Sequence, residues 1–547
     1  MIKEIFRFKS VIILTGILLA IIIYVASSDI FVNRHYAPLV IYGDNIKTEY
    51  TPFIENDKVY ISVDTISKTI DEYIYYDKVS EKVVITTYDK LVKMKKDDTF
   101  MEVNFEKQDI EGSVKIVNGQ AFVPIENLEE IYNIDVLFNA TESIIIVNND
   151  DLDKGNVLNN KIAIYSDIDT SSNILNYLDK DEEVIVYIDN LDHNRWYKIS
   201  SSDNVVGYVF KEAIKLKENN NDNTDNEISL NKNIYKDEKI SMYWQYGNNL
   251  STLTKEDGVN VVSPTLYEMA NANGDVNRKE ALAYVKQAKS YGYEVWPIIT
   301  NGIDDVNYTS SDTSKLMNSE KARENLIKNI SKIAIEDKLD GINLDFEAMN
   351  PNDKDKYSQF VRELAPILRK DGIILSVDLY FVNYIDRKEV GKAADYIMLM
   401  GYDQRGSWSS EAGSIAEVTW TEKNVKSLIE NSDVPSHKIV LGIPLYTRMF
   451  TKKTGSDELT ATVYTMSNAL EYVRKNGLKT KYDEKAMQNY IEFTRGSTTY
   501  SMWIEDEVSI KNRCDVVNNN ELAGIATWRK GFETDSTFSI IAEGLKK

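Results

Sequence analysis

The chain has 547 residues, too many for one ordinary core and enough for about three or four domains. Its formal net charge of −22 and pI near 4.8 argue against nucleic acid or an anionic membrane surface as the main partner, since either would repel it. Three histidines far apart in sequence (His35, His193, His437) and one cysteine, Cys514, give no basis for a structural zinc site, a disulfide framework or a Cys/His nucleophilic dyad.

Residues 1–30 supply an address. Lys3, Arg7 and Lys9 precede an apolar stretch from Val11 to Ala26, interrupted only by Thr15 and Gly16. Positive charge ahead of an apolar helix keeps the amino end inside and sends the rest across the membrane. The stretch is shorter than a comfortable span of roughly 20 residues yet longer than most signal-peptide cores. We expect an uncleaved membrane anchor in preference to cleavage after Ala26-Ser27-Ser28, and in either case an extracytoplasmic location for the remainder of the chain.

Residues 36–150 read as short alternating strands with an internal repeat. Val59-Tyr60-Ile61-Ser62-Val63 followed by Val83-Val84-Ile85 is echoed by Ala121-Phe122-Val123-Pro124-Ile125 followed by Ile144-Ile145-Ile146, each copy in the order strand, short helix, strand. With Pro38-Leu39-Val40-Ile41, this α+β segment resembles the duplicated domain at the amino terminus of copper amine oxidases. A copper centre is not implied, because it wants clustered imidazoles and only His35 stands at the segment's edge. Residues 157–216 carry short, closely spaced strands: Ile162–Tyr165, Glu183–Tyr187, Trp196–Ile199 and Val206–Val209. They resemble a bacterial SH3-like domain, a small all-β barrel that binds cell-wall peptides or serves as a spacer. Trp196 and Tyr208 are candidates for a groove, with at least one expected in the core. Residues 217–238, rich in Asn, Asp, Glu and Lys, read as a linker.

From 239 to 547 the pattern becomes regular. Apolar strand candidates fall at Ile240–Trp244, Val259–Tyr267, Glu294–Thr300, Gly341–Glu347, Ile374–Tyr380, Tyr396–Asp403, Ile439–Tyr446 and Gly524–Trp528, with helices such as Arg278–Tyr291, Ser319–Asp337 and Lys354–Lys370 between them. Eight strands alternating with helices predict a TIM (β/α)8 barrel. A doubly wound open sheet is the alternative, weakened by the lack of a Gly-rich phosphate loop after the first strand. A small α+β insertion is expected at about 455–510, walling the catalytic end.

The chemistry concentrates in Asp340-Gly341-Ile342-Asn343-Leu344-Asp345-Phe346-Glu347. On a strand, Asn343, Asp345 and Glu347 share one face, with successive members roughly 6–7 Å apart, and Ile342, Leu344 and Phe346 share the other. Burying neighbouring carboxylates costs free energy unless they are hydrogen-bonded or one keeps its proton, which is what a general acid near neutral pH requires. A solvated edge strand is the bland alternative, and the fully apolar opposite face argues against it.

Asp340-x-x-Asn343-x-Asp345-x-Glu347 resembles the D-x-x-D-x-D-x-E signature of family-18 glycoside hydrolases, and Met400-Gly401-Tyr402-Asp403 resembles that family's M-x-Y-D. Trp528 occupies the place of the family's tryptophan at the floor of the sugar site, and the likeness covers about 240–547. It implies hydrolysis of β-1,4-linked N-acetylglucosamine glycans by a retaining, substrate-assisted route without metal or organic cofactor. Glu347 would be the acid and then the base, Asp345 would orient the substrate's acetamide, and Tyr402 would hold the acetamide oxygen. Asn343, Met400, Asp403 and Trp528 would line the sugar site. Asn343 departs from the pattern: it cannot exchange a proton with Asp345, so an altered pH profile is expected. Ile443-Pro444-Leu445-Tyr446-Thr447-Arg448 and Trp503-Ile504-Glu505-Asp506 resemble the branch of spore-cortex and cell-wall hydrolases, which favours peptidoglycan or cortex over chitin. Tyr243, Trp244, Asn301 and Tyr446 stand at strand ends, equally placed to be further substrate contacts or to belong to the barrel core and the layer behind the site, and Arg448 and Glu505 read either as partners in the wall or as an ordinary surface ion pair. A non-catalytic glycan-binding protein on the same barrel is the competing class, as is an envelope scaffold with a vestigial barrel.

Overall fold

The computed structural model describes residues 34–139, 144–149, 152–188, 195–217, 238–302 and 309–545. The expected anchor, residues 218–237 of the expected linker and His193 lie outside the described residues. Among the described residues no helix is long and apolar enough to cross a membrane. The described residues form two compact units, one of those up to 217 without 86–91, the other of 86–91 and those from 238 onward.

In the amino-terminal unit the repeat is structural. Lys58–Ser62 leads into the helix Val63–Thr69 and the hairpin Tyr75–Asp77/Lys82–Thr86, while Gln120–Pro124 leads into the short turns Ile125–Leu128 and Glu129–Tyr132 and the hairpin Ile134–Asn139/Ile144–Asn149. The two leading strands pair antiparallel about Ile61 and Val123, which occupy the same place in each copy, so a local two-fold relates them. Ser62 caps its helix by accepting from the Thr65 N–H. Pro124 stands in its place in the second copy, has no side chain to cap with, and a 3-10 turn follows. Residues 153–216 add a seven-stranded antiparallel sheet around Val157, Ile164, Val184, Val186, Ile199 and Val209. Neither Trp196 nor Tyr208 belongs to that core, contrary to expectation. Pairing of Trp196 with Phe210 and of Lys198 with Tyr208 puts all four on the face opposite Ile199 and Val209, where Trp196 stacks on Phe210 at 4.1 Å.

The second unit holds a closed barrel of eight parallel strands: Ile240–Gln245, Val261–Met269, Glu294–Val295 with Ile298–Thr300, Gly341–Asp345, Ile374–Leu379, Tyr396–Met400, Ile439–Pro444 and Gly524–Trp528. Strand one pairs with both strand two and strand eight, which closes the ring. Several expected elements shift: the strand predicted over Tyr396–Asp403 ends at Met400, that over Gly341–Glu347 ends at Asp345, and that over Val259–Tyr267 runs over Val261–Met269. The helix predicted over Arg278–Tyr291 begins only at Leu282, because Val276–Arg278 forms an antiparallel strand against Tyr267–Met269. The strand predicted over Ile439–Tyr446 ends at Pro444, which has no N–H for the ladder, and Tyr446–Lys453 opens the inserted sheet instead. That sheet runs in the order 459–465, 446–453, 498–503, 488–495, 481–483, with the helix Met466–Lys475 lying in sequence between 459–465 and 481–483, so the insertion is α+β but starts before 455.

The barrel interior is filled by large rings that fit because glycines face them. A Cβ on Gly341 would sit 2.7 Å from the Trp296 ring, which stacks on Tyr396, and one on Gly442 would sit 3.0 Å from Trp244. Gly341→Ala is therefore expected to overpack the interior beneath the strand-four acids, lowering stability by about 1–3 kcal/mol. Thermal unfolding of the full chain reads this as a fall of several degrees in the barrel's transition.

Candidate active site

In a parallel barrel the carboxyl ends of all eight strands lie at one rim, and the strand-four row rises to it. Ile342 and Leu344 are buried toward the helices, and Phe346 stacks on Tyr357 at 5.7 Å and Phe360 at 5.9 Å of the helix Lys354–Lys370. That anchorage fixes the opposite row, which grades from fully buried Asn343 to half-buried Asp345 and Glu347. Asp340, at the strand's other end, accepts from the Val295 N–H at 3.0 Å and from Lys289 at 2.9 Å; it ties strand four to its neighbour, far from the rim.

Glu347 lies just past the strand, and its backbone is bracketed by one amide. Asn301 donates to the Glu347 carbonyl at 2.8 Å and accepts from its N–H at 3.1 Å. The next N–H, that of Ala348, donates to the Tyr384 hydroxyl at 3.2 Å. The expected substrate contact Asn301 is thus a holder of Glu347: it is 3% exposed and both ends of its amide are engaged within the protein.

Asn343 lies deepest, accepting from the Trp244 indole N–H at 2.8 Å and donating to Asp378 at 2.8 Å. Asp378, on strand five, is a buried acid absent from the sequence-based site. Burial and then the charge of Asp345 push its carboxyl well above the ordinary carboxylate range. Tyr402, just beyond strand six, is buried in the interior cluster with partly buried Met400 and Trp528. Burial, followed by Asp378, pushes its phenol well up, so it stays a protonated donor. Tyr446 meets Tyr402 edge-on at 6.3 Å, its phenol pushed well up by burial and then by the neighbouring Asp403 carboxylate, and Trp528 meets Trp244 at 6.0 Å. Asp403 has a left-handed backbone, φ +55°; its carbonyl accepts from the Tyr380 hydroxyl and its carboxylate from Arg448 at 3.2 Å.

Two expectations are corrected here. Tyr243 does not face the site: it precedes inward-facing Trp244, so alternation turns it outward, where it is fully buried against Tyr293 and Phe538. Arg448 and Glu505 are not partners. Arg448 holds Asp403, and Glu505 is fully buried in a bidentate pair with Arg513, eight residues on along the next helix. The rim also has an aromatic that the sequence does not single out. Trp408, 67% exposed, lies over Gly406 and 5.7 Å from the Arg448 guanidinium. The one signal for it is a tryptophan in a Gly/Ser loop shortly after Asp403.

Residues 239–533 match the pattern of glycosyl hydrolases family 18, and residues 40–147 that of the copper amine oxidase N-terminal domain. The chain is 25% identical over 285 residues to the uncharacterized glycosylase YvbX of Bacillus subtilis (strain 168), covering 50% of this chain and 80% of that one. It is 24% identical over 259 residues to the cortical fragment-lytic enzyme of the same organism, covering 45% of this chain and 59% of that one, so it spans less than two thirds of that relative. Among solved structures, the spore cortex-lytic enzyme SleL of Bacillus cereus superposes with a TM-score of 0.51 at 20% identity, over 56% of this chain and 74% of that one. A chitinase from Chromobacterium violaceum does so with 0.51 at 21%, over 56% and 99%. At these identities the structural likeness establishes the barrel fold.

Proposed function

The chain belongs to glycosyl hydrolases family 18 through residues 239–533 and is a glycoside hydrolase, and from that premise we propose that it cleaves β-1,4-linked N-acetylglucosamine polymers, peptidoglycan or spore cortex in preference to chitin. The observation that carries the reading is the row Asn343, Asp345 and Glu347 at the barrel rim beside a buried, protonated Tyr402 phenol. Glu347 protonates the glycosidic oxygen as the C–O bond breaks. The substrate's 2-acetamido oxygen attacks the anomeric carbon, giving an oxazolinium ion without an enzyme nucleophile. Asp345 orients the acetamide and offsets the positive charge on its nitrogen, while Tyr402 donates to the acetamide oxygen. Glu347, now a carboxylate, takes a proton from water, which opens the ion with net retention. Trp528 offers a ring to the sugar's apolar face, flanked by Met400, Tyr446 and Asp403.

The preference for wall glycan rests on relatives named for cortical fragments and on the accessory domains. The basic and apolar pattern of residues 1–26 supports an anchored, extracytoplasmic enzyme acting on the adjacent wall, and the β-sheet of residues 153–216 is suited to a cell-wall peptide or to spacing. The test is digestion of purified peptidoglycan, cortex fragments and chitin oligomers by the full chain, with mass spectrometry of the released ends. N-acetylglucosamine reducing ends from wall glycan are expected. Glycan that binds uncut overturns the hydrolase reading in favour of a binding scaffold.

Trp408 extends the site outward. An exposed indole at the rim is expected to stack on a sugar beyond the cleaved bond, so Trp408→Ala should raise KM on polymeric glycan roughly tenfold, equivalent to about 1.4 kcal/mol, with kcat little changed. Steady-state kinetics on long and short substrates checks this, the shortest being the least affected.

A further inference from the structure

Strands four and five pair in parallel, with Gly341 beside Ile374 and Leu344 beside Val377. One more step along that ladder sets Asp345 beside Asp378, both on the inward face at the rim. Asn343, one layer deeper, has a determined orientation. The Trp244 indole N–H can only donate, so the amide atom 2.8 Å from it is the oxygen, which the Ser263 hydroxyl also reaches at 3.3 Å. The Asn343 NH2 group must then face Asp378, and it donates to one carboxyl oxygen at 2.8 Å.

Asp378 is 4% exposed. The groups that face it are Asp345 and Glu347 of strand four and its end, Asn343, the Tyr402 phenol beyond strand six, and the Tyr357 phenol of the helix Lys354–Lys370. Burial and Asp345 raise its carboxyl, Glu347 adds to the rise, and the Asn343 bond opposes it. Two carboxyl groups side by side on neighbouring strands, one buried and the other half-buried, do not both ionise at low cost, so the pair retains a proton.

Resting on the reading of Asp345 as the group that orients the acetamide, we propose that Asp378 is a positioning residue that shares one proton with Asp345, supplying from strand five the carboxyl that Asn343 removes from strand four. No bond to carbon forms or breaks at Asp378, and the pair holds one proton throughout. The proton moves onto the Asp378 oxygen as the acetamide nitrogen becomes positive, leaving Asp345 anionic against that charge. It is shared again once water has opened the ion.

Asp378→Asn separates this role from packing, because the amide keeps an acceptor for Asn343 and a donor for Asp345 but cannot titrate. An amide stabilises the charged Asp345 less than a carboxyl O–H does. The variant is therefore expected to lose about tenfold in kcat, with the acid limb of its pH profile moved toward neutrality by about one unit. The exchange Asn343→Asp with Asp378→Asn, which returns the acid to strand four, is expected to restore most of the rate and the limb. Independently of activity, infrared spectra of the full chain at neutral pH are expected to show one protonated carboxyl that Asp378→Asn lacks. A wild-type profile and rate in Asp378→Asn, no recovery in the exchanged pair, or no such carboxyl would each overturn the proposal. If no glycan is cut by any form, the hydrolase reading fails on its own, and the infrared measurement still decides where the proton is.

Discussion

Glu347→Gln is expected to lower kcat on the chain's glycan by about three to four orders of magnitude while leaving KM and the melting temperature close to wild type. The size follows from the role. A general acid contributes about 10²–10⁴ in rate, and here the same carboxyl also serves as the base in the second step, so glutamine removes both functions. The stability expectation follows from the backbone. Asn301 holds the N–H and carbonyl of residue 347, and Phe346 is anchored on Tyr357 and Phe360, so none of these contacts involves the carboxyl. The variant should still bind glycan. Turnover measured beside calorimetric titration with the same oligomer checks both halves. Hydrolysis by Glu347→Gln at the wild-type rate would falsify the assignment of the acid.

The barrel was legible because buried parallel strands and amphipathic helices write different periods into the sequence, and eight alternations fit few other folds. The strand-four row was legible because its three members are local: parity alone puts Asn343, Asp345 and Glu347 on one side. Parity also held the answer for Tyr243, since it and Trp244 cannot both face inward, but which of the two does so is set by neighbouring strands. Asp378 was missed for the same kind of reason. In Ile374-Leu375-Ser376-Val377-Asp378-Leu379 a lone acid has no distinct meaning until the register with strand four places it beside Asp345. Asn301 sat at a strand end, where a sugar contact and a bracket for Glu347 look alike in sequence. The pairing of Glu505 with Arg513 was within reach of local reasoning, because Arg513 lies on the helix Glu507–Asn519 that comes directly after it, whereas Arg448 is reached only through the inserted sheet.

That pair carries the largest stability effect expected in the barrel unit. Glu505 and Arg513 are both fully buried, and the guanidinium holds both carboxylate oxygens. Arg513 also donates to the Ala416 carbonyl at 2.7 Å. Gln488 of the insertion and Ser509 of the helix each donate to Glu505 at 2.8 Å, and Ser414 donates to Gln488. The network therefore joins the segment after Tyr402 and Asp403 to the insertion and to the penultimate helix. Arg513→Met leaves a carboxylate buried without its cation and is expected to cost about 3–5 kcal/mol, whereas Arg513→Met with Glu505→Gln should recover much of that. The pH dependence has a definite sign. Burial already raises Glu505 above its ordinary value, with Arg513 pulling it down, so the folded state binds this proton more firmly than the unfolded chain. Stability from this group is thus greatest at low pH and declines as pH rises toward the folded-state value. Without Arg513 that value rises further and the decline continues over a wider range. The gap in melting temperature between Arg513→Met and wild type should therefore be smaller at about pH 5 than at about pH 8, and a gap that narrows toward alkaline pH would mean that Glu505 is not the charge left behind.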